Sequence, residues 1–179
     1  MSRGITFPIS ASLRFHPGLK HPGRPLLPCM VALITRGGDG EETAIHRTFL
    51  KADGSGKALV SPNKMMLGPS GGGAFRLANA TDSVMVGEGI ETCLAVMQAT
   101  GRPAWAALST SGLRLLDLPR TICDVIVLAD GDPPGESAAT AAARRWRAEG
   151  RSVRIARPPA GVDFNDLLIR GAATTEVSA

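Results

Sequence analysis

The second half of the chain, from Asp82 onward, alternates short apolar runs with helical patterns. Runs of this length, separated by helices, indicate βαβ units and a parallel sheet. The predicted strands are residues 83–87, 104–108, 124–129 and 152–156. The predicted helices are residues 91–100, 111–117, 134–149 and 164–170. We therefore predict an α/β domain over residues 81–172, with a parallel four-stranded sheet flanked by helices.

The first half has a different pattern, in which strand-like segments are separated by Gly-rich turns. The segment from Met30 to Leu59 is strand-like, and it is interrupted by turns at 37–40 and 52–56. Adjacent strands joined by short turns of this kind favour an antiparallel meander. We predict a small antiparallel β-rich subdomain over residues 1–80, and a disordered tail at 173–179.

Composition limits the class of protein. No apolar run approaches the ~20 residues that cross a bilayer, and the N-terminus lacks the pattern of a signal peptide, so we expect a cytoplasmic protein with no membrane partner. The three cysteines form no C-x-x-C pair, which predicts neither a disulfide framework nor a zinc ribbon. Cys93 and Cys123 lie in apolar surroundings and are predicted core residues. Trp105 and Trp146 are predicted to be core or helix-face residues.

Charge is distributed unevenly between the two halves. Residues 1–80 contain ten Lys and Arg against four Asp and Glu, a balance of +6, whereas the remainder has ten Arg against twelve acids, a balance of −2. A basic surface beside an acidic pocket suits a protein that holds a polyanion through bridging cations. A solvated surface without a partner explains the same charges equally well.

Carboxylates follow two of the predicted strands. Asp130 and Asp132 come after the apolar run 125–128, and Glu88 follows the run 83–86. Because parallel strands end along one edge of a sheet, these three side chains are predicted to meet and to bind a divalent cation through oxygen. The alternative is that the two aspartates only cap the next helix.

Two motifs carry a resemblance to a known family. The segments Val86-Gly87-Glu88-Gly89-Ile90-Glu91-Thr92 and Leu128-Ala129-Asp130-Gly131-Asp132-Pro133-Pro134-Gly135 resemble the Toprim domain, which is shared by bacterial-type primases, topoisomerases and some nucleases. More closely, the chain resembles the primase-like Toprim proteins of phages and plasmids. Those proteins carry segments similar to 46–50 and 64–68 before the domain, and to 163–168 after it. The resemblance implies a Toprim-like, Rossmann-like fold.

The resemblance also implies a set of metal ligands. Glu88, Asp130 and Asp132 correspond to catalytic carboxylates that bind Mg²⁺ or Mn²⁺, and in this family an acidic cluster at the place of Asp163 and Asp166 joins the metal site. Both late aspartates are equally consistent with a helix cap. Bacterial-type primases have an aspartate four residues after the glutamate, where this chain has Thr92, so a metal role for Glu91 stays open.

Three basic residues of the first half, Arg47, Lys57 and Lys64, are candidate contacts for nucleotide or nucleic acid. The chain has no tyrosine, which a topoisomerase needs as its nucleophile, and no P-loop, so any helicase partner is a separate chain. The leading hypothesis is a primase-like nucleotidyltransferase that uses NTPs on a single-stranded DNA template, with a helicase or zinc-binding module as a further partner. A Toprim metal-dependent nuclease and a non-catalytic nucleic-acid-binding module of a mobile element are the alternatives.

Overall fold

A computed structural model describes residues 4–6, 8–159 and 161–169. Within these residues, nine strands form one sheet in the order β4-β3-β2-β5-β7-β6-β8-β9, and β1 pairs with β2. The strands are β1 Leu13–His21, β2 Arg24–Arg36, β3 Glu42–Phe49, β4 Lys64–Leu67, β5 Gly73–Arg76, β6 Ser83–Gly87, β7 Ala104–Ala106, β8 Asp124–Leu128 and β9 Ser152–Ala156. The helices are α1 Ile90–Thr100, α2 Thr110–Leu115, α3 Pro133–Ala148, and α4 at 164–169. The predicted tail at 173–179 lies outside the described residues.

The second half forms the predicted parallel sheet, in which β7, β6, β8 and β9 lie side by side. Successive side chains of β6 point to opposite faces, as the pleat of a strand requires. Val84 and Val86 pack into the core beneath α2 and α3, whereas Met85 packs with α1. Trp105 and Trp146 are fully buried, so both are core residues, which was one of the two predicted possibilities. The predicted fold class, a parallel core preceded by antiparallel strands, is confirmed.

Strands of the first half are antiparallel, but their bounds differ from the prediction. β2 begins at Arg24 rather than at Met30, and the sequence pattern indicated neither β1 nor β4 as a strand. Pro17 and Gly18 obscure β1, whose pairing with β2 shifts register between His16 and Leu19. Proline is tolerated there because β1 pairs on one side with β2 and a shifted register leaves a position without a ladder bond.

Strand β5 joins the two halves, because it pairs antiparallel with β2 on one side and with β7 on the other. The Arg76 side chain at its end reinforces this junction. Its Nη2 donates hydrogen bonds of 2.8 Å to the carbonyl oxygens of Arg36 and Gly37, and its guanidinium lies 4.2 Å from the centre of the Trp105 ring. The hydrogen bonds between β5 and β7 cross the predicted boundary at residue 80. The division into units 1–80 and 81–172 therefore stays a prediction.

Backbone segments approach closely beside this junction. The carbonyl oxygen of Gly72 accepts hydrogen bonds from the amides of Gly37 (3.0 Å) and Asp117 (3.1 Å). A Cβ atom at Gly37 would lie 1.5 Å from the carbonyl oxygen of Asp117. Glycine is therefore required at Gly37 by the space between two backbones.

The cysteine prediction is half correct. Cys93 is fully buried, whereas Cys123 is exposed. Cys123 lies in the turn that leads into β8, where the preceding Ile122 takes the buried position.

Among the described residues, no helix has both the length and the apolar character needed to span a membrane.

Substitution of Gly37 by alanine should destabilise the protein by at least about 3 kcal/mol, because the new methyl group meets backbone that cannot move aside. Gly38 is the matched control, since a Cβ atom there has no neighbour within 4 Å. Gly38→Ala should change the free energy of unfolding by no more than about 0.5 kcal/mol. Urea denaturation of both variants measures the difference, and equal stabilities would contradict the close approach.

His46 is 3% exposed, and its pKa is lowered to about 4, first by burial and then by the charges of Lys64 and Lys57. An unfolded chain takes up a proton at this residue near pH 6.5, whereas the folded protein does not. The free energy of unfolding should therefore fall as the pH drops from about 6.5 to about 4, by up to about 3 kcal/mol. Urea denaturation across this range measures the slope. His46→Gln should remove the part of this pH dependence that comes from His46. An equal slope in the native protein and in His46→Gln would show that His46 is not held neutral.

Candidate active site

An open cleft of about 600 Å³ lies between the antiparallel half of the sheet and the loop after β6. His46 and Thr48 of β3 and Asn165 of α4 lie along it, and Lys64 contributes from the start of β4. On the opposite side the cleft is lined by Glu88 to Glu91 at the start of α1. Basic and acidic side chains therefore share one cleft.

Glu88 is fixed through its backbone. It directly follows β6, and its carbonyl oxygen accepts a hydrogen bond of 2.8 Å from the amide of Leu108. The preceding carbonyl, that of Gly87, accepts from the amide of Ala107 at the same distance. These bonds continue the pairing of β6 with β7 by two residues, so the half-buried Glu88 has a defined place at the carboxyl edge of the sheet.

Asp130 and Asp132 lie at the same edge, after β8. Asp132 is the N-cap of α3, and its Oδ1 accepts a hydrogen bond of 2.7 Å from the amide of Gly135. The capping role weighed in the sequence is thus real for Asp132. It uses one carboxylate oxygen, and a carboxylate can ligate a cation with the other. Asp130 is half-buried, two residues beyond the end of β8.

Gly135 allows the first turn of α3 to lie against this loop. A Cβ atom at Gly135 would be 2.8 Å from Asp132 Oδ1, 3.0 Å from Asp130 Cβ and 3.1 Å from the Asp130 carbonyl oxygen. Each distance is shorter than ordinary van der Waals contact. Asp130 and Asp132 can therefore occupy these positions only because residue 135 has no side chain.

The carboxylates interact electrostatically. Burial raises the pKa of Glu88, and the charges of Asp130 and Asp132 raise it further. Burial also raises the pKa of Asp130, with added contributions from Asp132 and Asp163. Lys64 acts in the opposite direction on the pKa of both groups. The three carboxylates and Lys64 are consequently within electrostatic reach of one another.

The donor set has the chemistry that a divalent cation needs, namely several carboxylate oxygens whose mutual repulsion a cation would relieve. Within residues 4–6, 8–159 and 161–169, however, no three His, Cys, Asp or Glu side chains are already grouped as a ligand shell. Binding would need rotation of the partly exposed side chains of Glu88, Asp130 and Asp132. Their convergence on one cation stays a prediction.

The late aspartates cap one another. Asp163 Oδ1 accepts from the amide of Asp166 at 2.7 Å, and Asp166 Oδ2 accepts from the amide of Asp163 at 3.2 Å. This reciprocal arrangement begins α4 in the manner of a capping box. The charge of Asp163 nevertheless raises the pKa of Asp130. Glu91 is exposed in the first turn of α1 and also lines the cleft.

The three basic candidates occupy different places. Lys57 and Lys64 both line the cleft with Glu88. Arg47 is not among the cleft-lining residues. Its Nη2 donates to the Met66 carbonyl oxygen at 3.5 Å, and its guanidinium lies 5.9 Å from the centre of the Phe49 ring.

The sequence did not indicate that His46, Thr48 and Asn165 together form one polar side of the cleft. His46 and Thr48 lie in the segment predicted as strand-like, and Asn165 lies in the helix predicted at 164–170, but neither Thr48 nor Asn165 was predicted to face a ligand. The one available hint was the strand period of two, which places His46 and Thr48 on the same face. Asn165 could not be found in this way, because its proximity to β3 depends on how α4 packs.

Known proteins match this chain in two segments. Residues 83–173, just over half of the chain, match the family model of the Toprim domain, and residues 1–77 match a domain of unknown function (DUF7146). Comparison with curated protein sequences finds no match.

Three solved structures with a similar fold are fragments or domains of primases. The primase fragment of the bacteriophage T7 primase-helicase protein is 21% identical with a TM-score of 0.57, and the match covers 90% of this chain and 64% of that one. The zinc-binding and RNA polymerase domains of the Aquifex aeolicus primase are 21% identical with a TM-score of 0.58, over 84% and 38% of the two chains. The RNA polymerase domain of the Mycobacterium tuberculosis primase is 18% identical with a TM-score of 0.50, over 89% and 58%.

This chain therefore spans less than two thirds of each of those structures, and at such identities the likeness shows the fold alone. The family match covers the β6-to-α4 region that carries Glu88, Asp130 and Asp132. It confirms the resemblance read from the two motifs, and the chain belongs to the Toprim family, with a primase-like fold.

Proposed function

We propose that this protein is a primase-like nucleotidyltransferase, which synthesises RNA primers on single-stranded DNA. The observation that carries the proposal is the cleft in which Lys57 and Lys64 lie with Glu88, next to Asp130 and Asp132 at the same sheet edge. Cations suit the binding of a triphosphate, and carboxylates suit the transfer chemistry. The primase-like fold supports the same reaction class.

The reaction joins a 3′-hydroxyl to the α-phosphorus of a ribonucleoside triphosphate. The bond to the β-phosphate oxygen breaks, and pyrophosphate leaves. Lys57 and Lys64 hold the charged phosphates, and Glu88, which lines the same cleft, either helps to hold a divalent ion or accepts the proton of the attacking hydroxyl. Arg47, which packs against β4 and Phe49, acts on nucleic acid at most from outside the cleft.

Toprim domains bind divalent metal ions, and here Glu88, Asp130 and Asp132 would hold Mg²⁺ or Mn²⁺. When bound, such an ion neutralises phosphate charge and aligns the attacking and leaving oxygens. We assign Asp163 and Asp166 to the edge of this site, because the charge of Asp163 already raises the pKa of Asp130.

The partners follow from the reaction. We expect a single-stranded DNA template and NTPs in the cytoplasm, together with a helicase or a zinc-binding module that locates the start site. The bacteriophage T7 neighbour is a fragment of a primase-helicase protein, and the Aquifex neighbour contains a zinc-binding domain. Both associations are proposals for this chain.

Asp130→Asn and Asp132→Asn should each reduce RNA synthesis on a single-stranded template by at least about 10²-fold, because each removes a charge that faces the reacting phosphate. The melting temperature should not fall, since Asn keeps the cap at 132 and relieves repulsion at 130. Asp82→Asn is the control, because Asp82 is exposed at the opposite end of β6. Gel analysis of labelled oligoribonucleotides with Mg²⁺ or Mn²⁺ gives the measurement.

The same assay separates the rival functions. Cleavage of DNA or RNA without NTPs, lost in Asp130→Asn, would replace the primase by a Toprim nuclease. If neither product forms and DNA binding is the same in Asp130→Asn as in the native protein, the protein is a binding module. RNA synthesis that persists in Asp132→Asn would refute the assignment of this carboxylate.

Gly135→Ala should reduce RNA synthesis by about 10²-fold, because its methyl group displaces both aspartates from their positions. The free energy of unfolding should fall by about 1 kcal/mol, because displacement of Asp132 weakens the N-cap of α3, and the helix propensity of alanine offsets part of this loss. Gly131 is a matched control within the same loop, for a Cβ atom there meets nothing within 4 Å. Gly131→Ala should retain near-native synthesis. Equal activities of the two variants would mean that the loop geometry does not matter.

A further inference from the structure

Three buried side chains of the cleft each have one polar atom without a hydrogen-bond partner in the described part of the chain. His46, Thr48 and Asn165 are 3%, 3% and 6% exposed, and all three line the cleft. His46 Nδ1, Thr48 Oγ1 and Asn165 Oδ1 have no hydrogen-bond partner among the described residues. A buried polar atom without a partner is unfavourable by about 1–3 kcal/mol, so such a group is usually matched by water or by a ligand.

The surroundings indicate a ligand that is uncharged where it meets these groups. All three are neutral, since burial and the neighbouring lysines keep His46 unprotonated at neutral pH. The charged members of the cleft, Lys57, Lys64, Glu88 and Glu91, are separate residues. A ligand that fills the cleft therefore has a charged part and a neutral part rich in hydrogen-bonding groups, as a nucleotide does.

Within a nucleotide, the sugar is the part that such groups should contact. This step rests on the proposed function, because a template-directed enzyme leaves the base edge to pair with the template. A hydroxyl both donates and accepts a hydrogen bond, so it can satisfy a threonine hydroxyl, a neutral imidazole and an amide oxygen alike. The cleft volume of about 600 Å³ is within the range of small-ligand sites.

We propose that His46, Thr48 and Asn165 bind the ribose hydroxyls of the nucleotide and thereby select ribonucleotides. A site built to hydrogen-bond a substrate hydroxyl strongly disfavours the analogue that lacks it, because the buried groups are then left unpaired. The two elements that supply the site, β3 and α4, are more than 100 residues apart in the sequence. Selection thus depends on the packing of α4 against the first half.

Thr48→Val tests the proposal, since valine has nearly the same shape and no hydroxyl. Calorimetric titration with Mg²⁺ should show that the native protein binds ATP at least about tenfold more tightly than 2′,3′-dideoxy-ATP. In Thr48→Val the affinity for ATP should fall about tenfold, while the affinities for dideoxy-ATP and inorganic tripolyphosphate stay unchanged. Thr140→Val is the matched control, because Thr140 is exposed on α3, and it should bind all three ligands as the native protein does.

Stability supplies a second readout. Thr48→Val should melt at the same or a higher temperature, because it removes an unpaired buried hydroxyl. A lower melting temperature, with parallel losses for ATP and tripolyphosphate, would show a structural role and overturn the proposal. Equal native affinities for ATP and dideoxy-ATP would also overturn it, even if the protein makes RNA. Conversely, a preference for ATP that Thr48→Val abolishes would uphold ribose recognition even if no RNA is made.

Discussion

The guanidinium of Arg76 ties together the two halves of the sheet that enclose the cleft. It bonds to the backbone at the end of β2 and packs on Trp105 in β7, so one side chain spans both sides of strand β5. Strand β5 has four residues and pairs with each neighbour at two positions, which is a small number of backbone bonds for a junction. The relative placement of Lys64 and Glu88 depends on this junction, because one belongs to the first half and the other to the second.

Repulsion among the carboxylates at the sheet edge destabilises the folded protein and at the same time favours the binding of a cation. Burial and the charges of neighbouring carboxylates raise the pKa of Glu88 and of Asp130, which means that the charged forms of these two groups are less stable here than in water. Lys64 offsets part of this repulsion from across the cleft. Such a site gains most from a bound cation or from a phosphate bridged by one, because the binding removes an unfavourable interaction that folding had to tolerate.

Local patterns predicted the second half well and the first half less well, for physical reasons. The strands that contain Val84 and Val125 are continuous apolar runs buried on both faces, and such runs carry a strong signal. In β1, Pro17 and Gly18 hide a strand that exists because β2 is long enough to pair with it. The carboxylates were found because strand ends are local features. The neutral side chains Thr48 and Asn165 were not found, because tertiary packing alone brings them to the same cleft.

Leu108 shows how the fold accepts local strain beside the cleft. It has φ of 71°, a conformation that a leucine adopts at a cost of about 1 kcal/mol or more. Its amide bonds to the carbonyl of Glu88, and its 9% exposed side chain lines both the cleft and a second cavity of about 150 Å³ formed with Ser109 and Gly112. The hydrogen bond from the Leu108 amide to the Glu88 carbonyl offsets this strain. It also fixes the backbone of Glu88, on which the position of the Glu88 carboxylate depends.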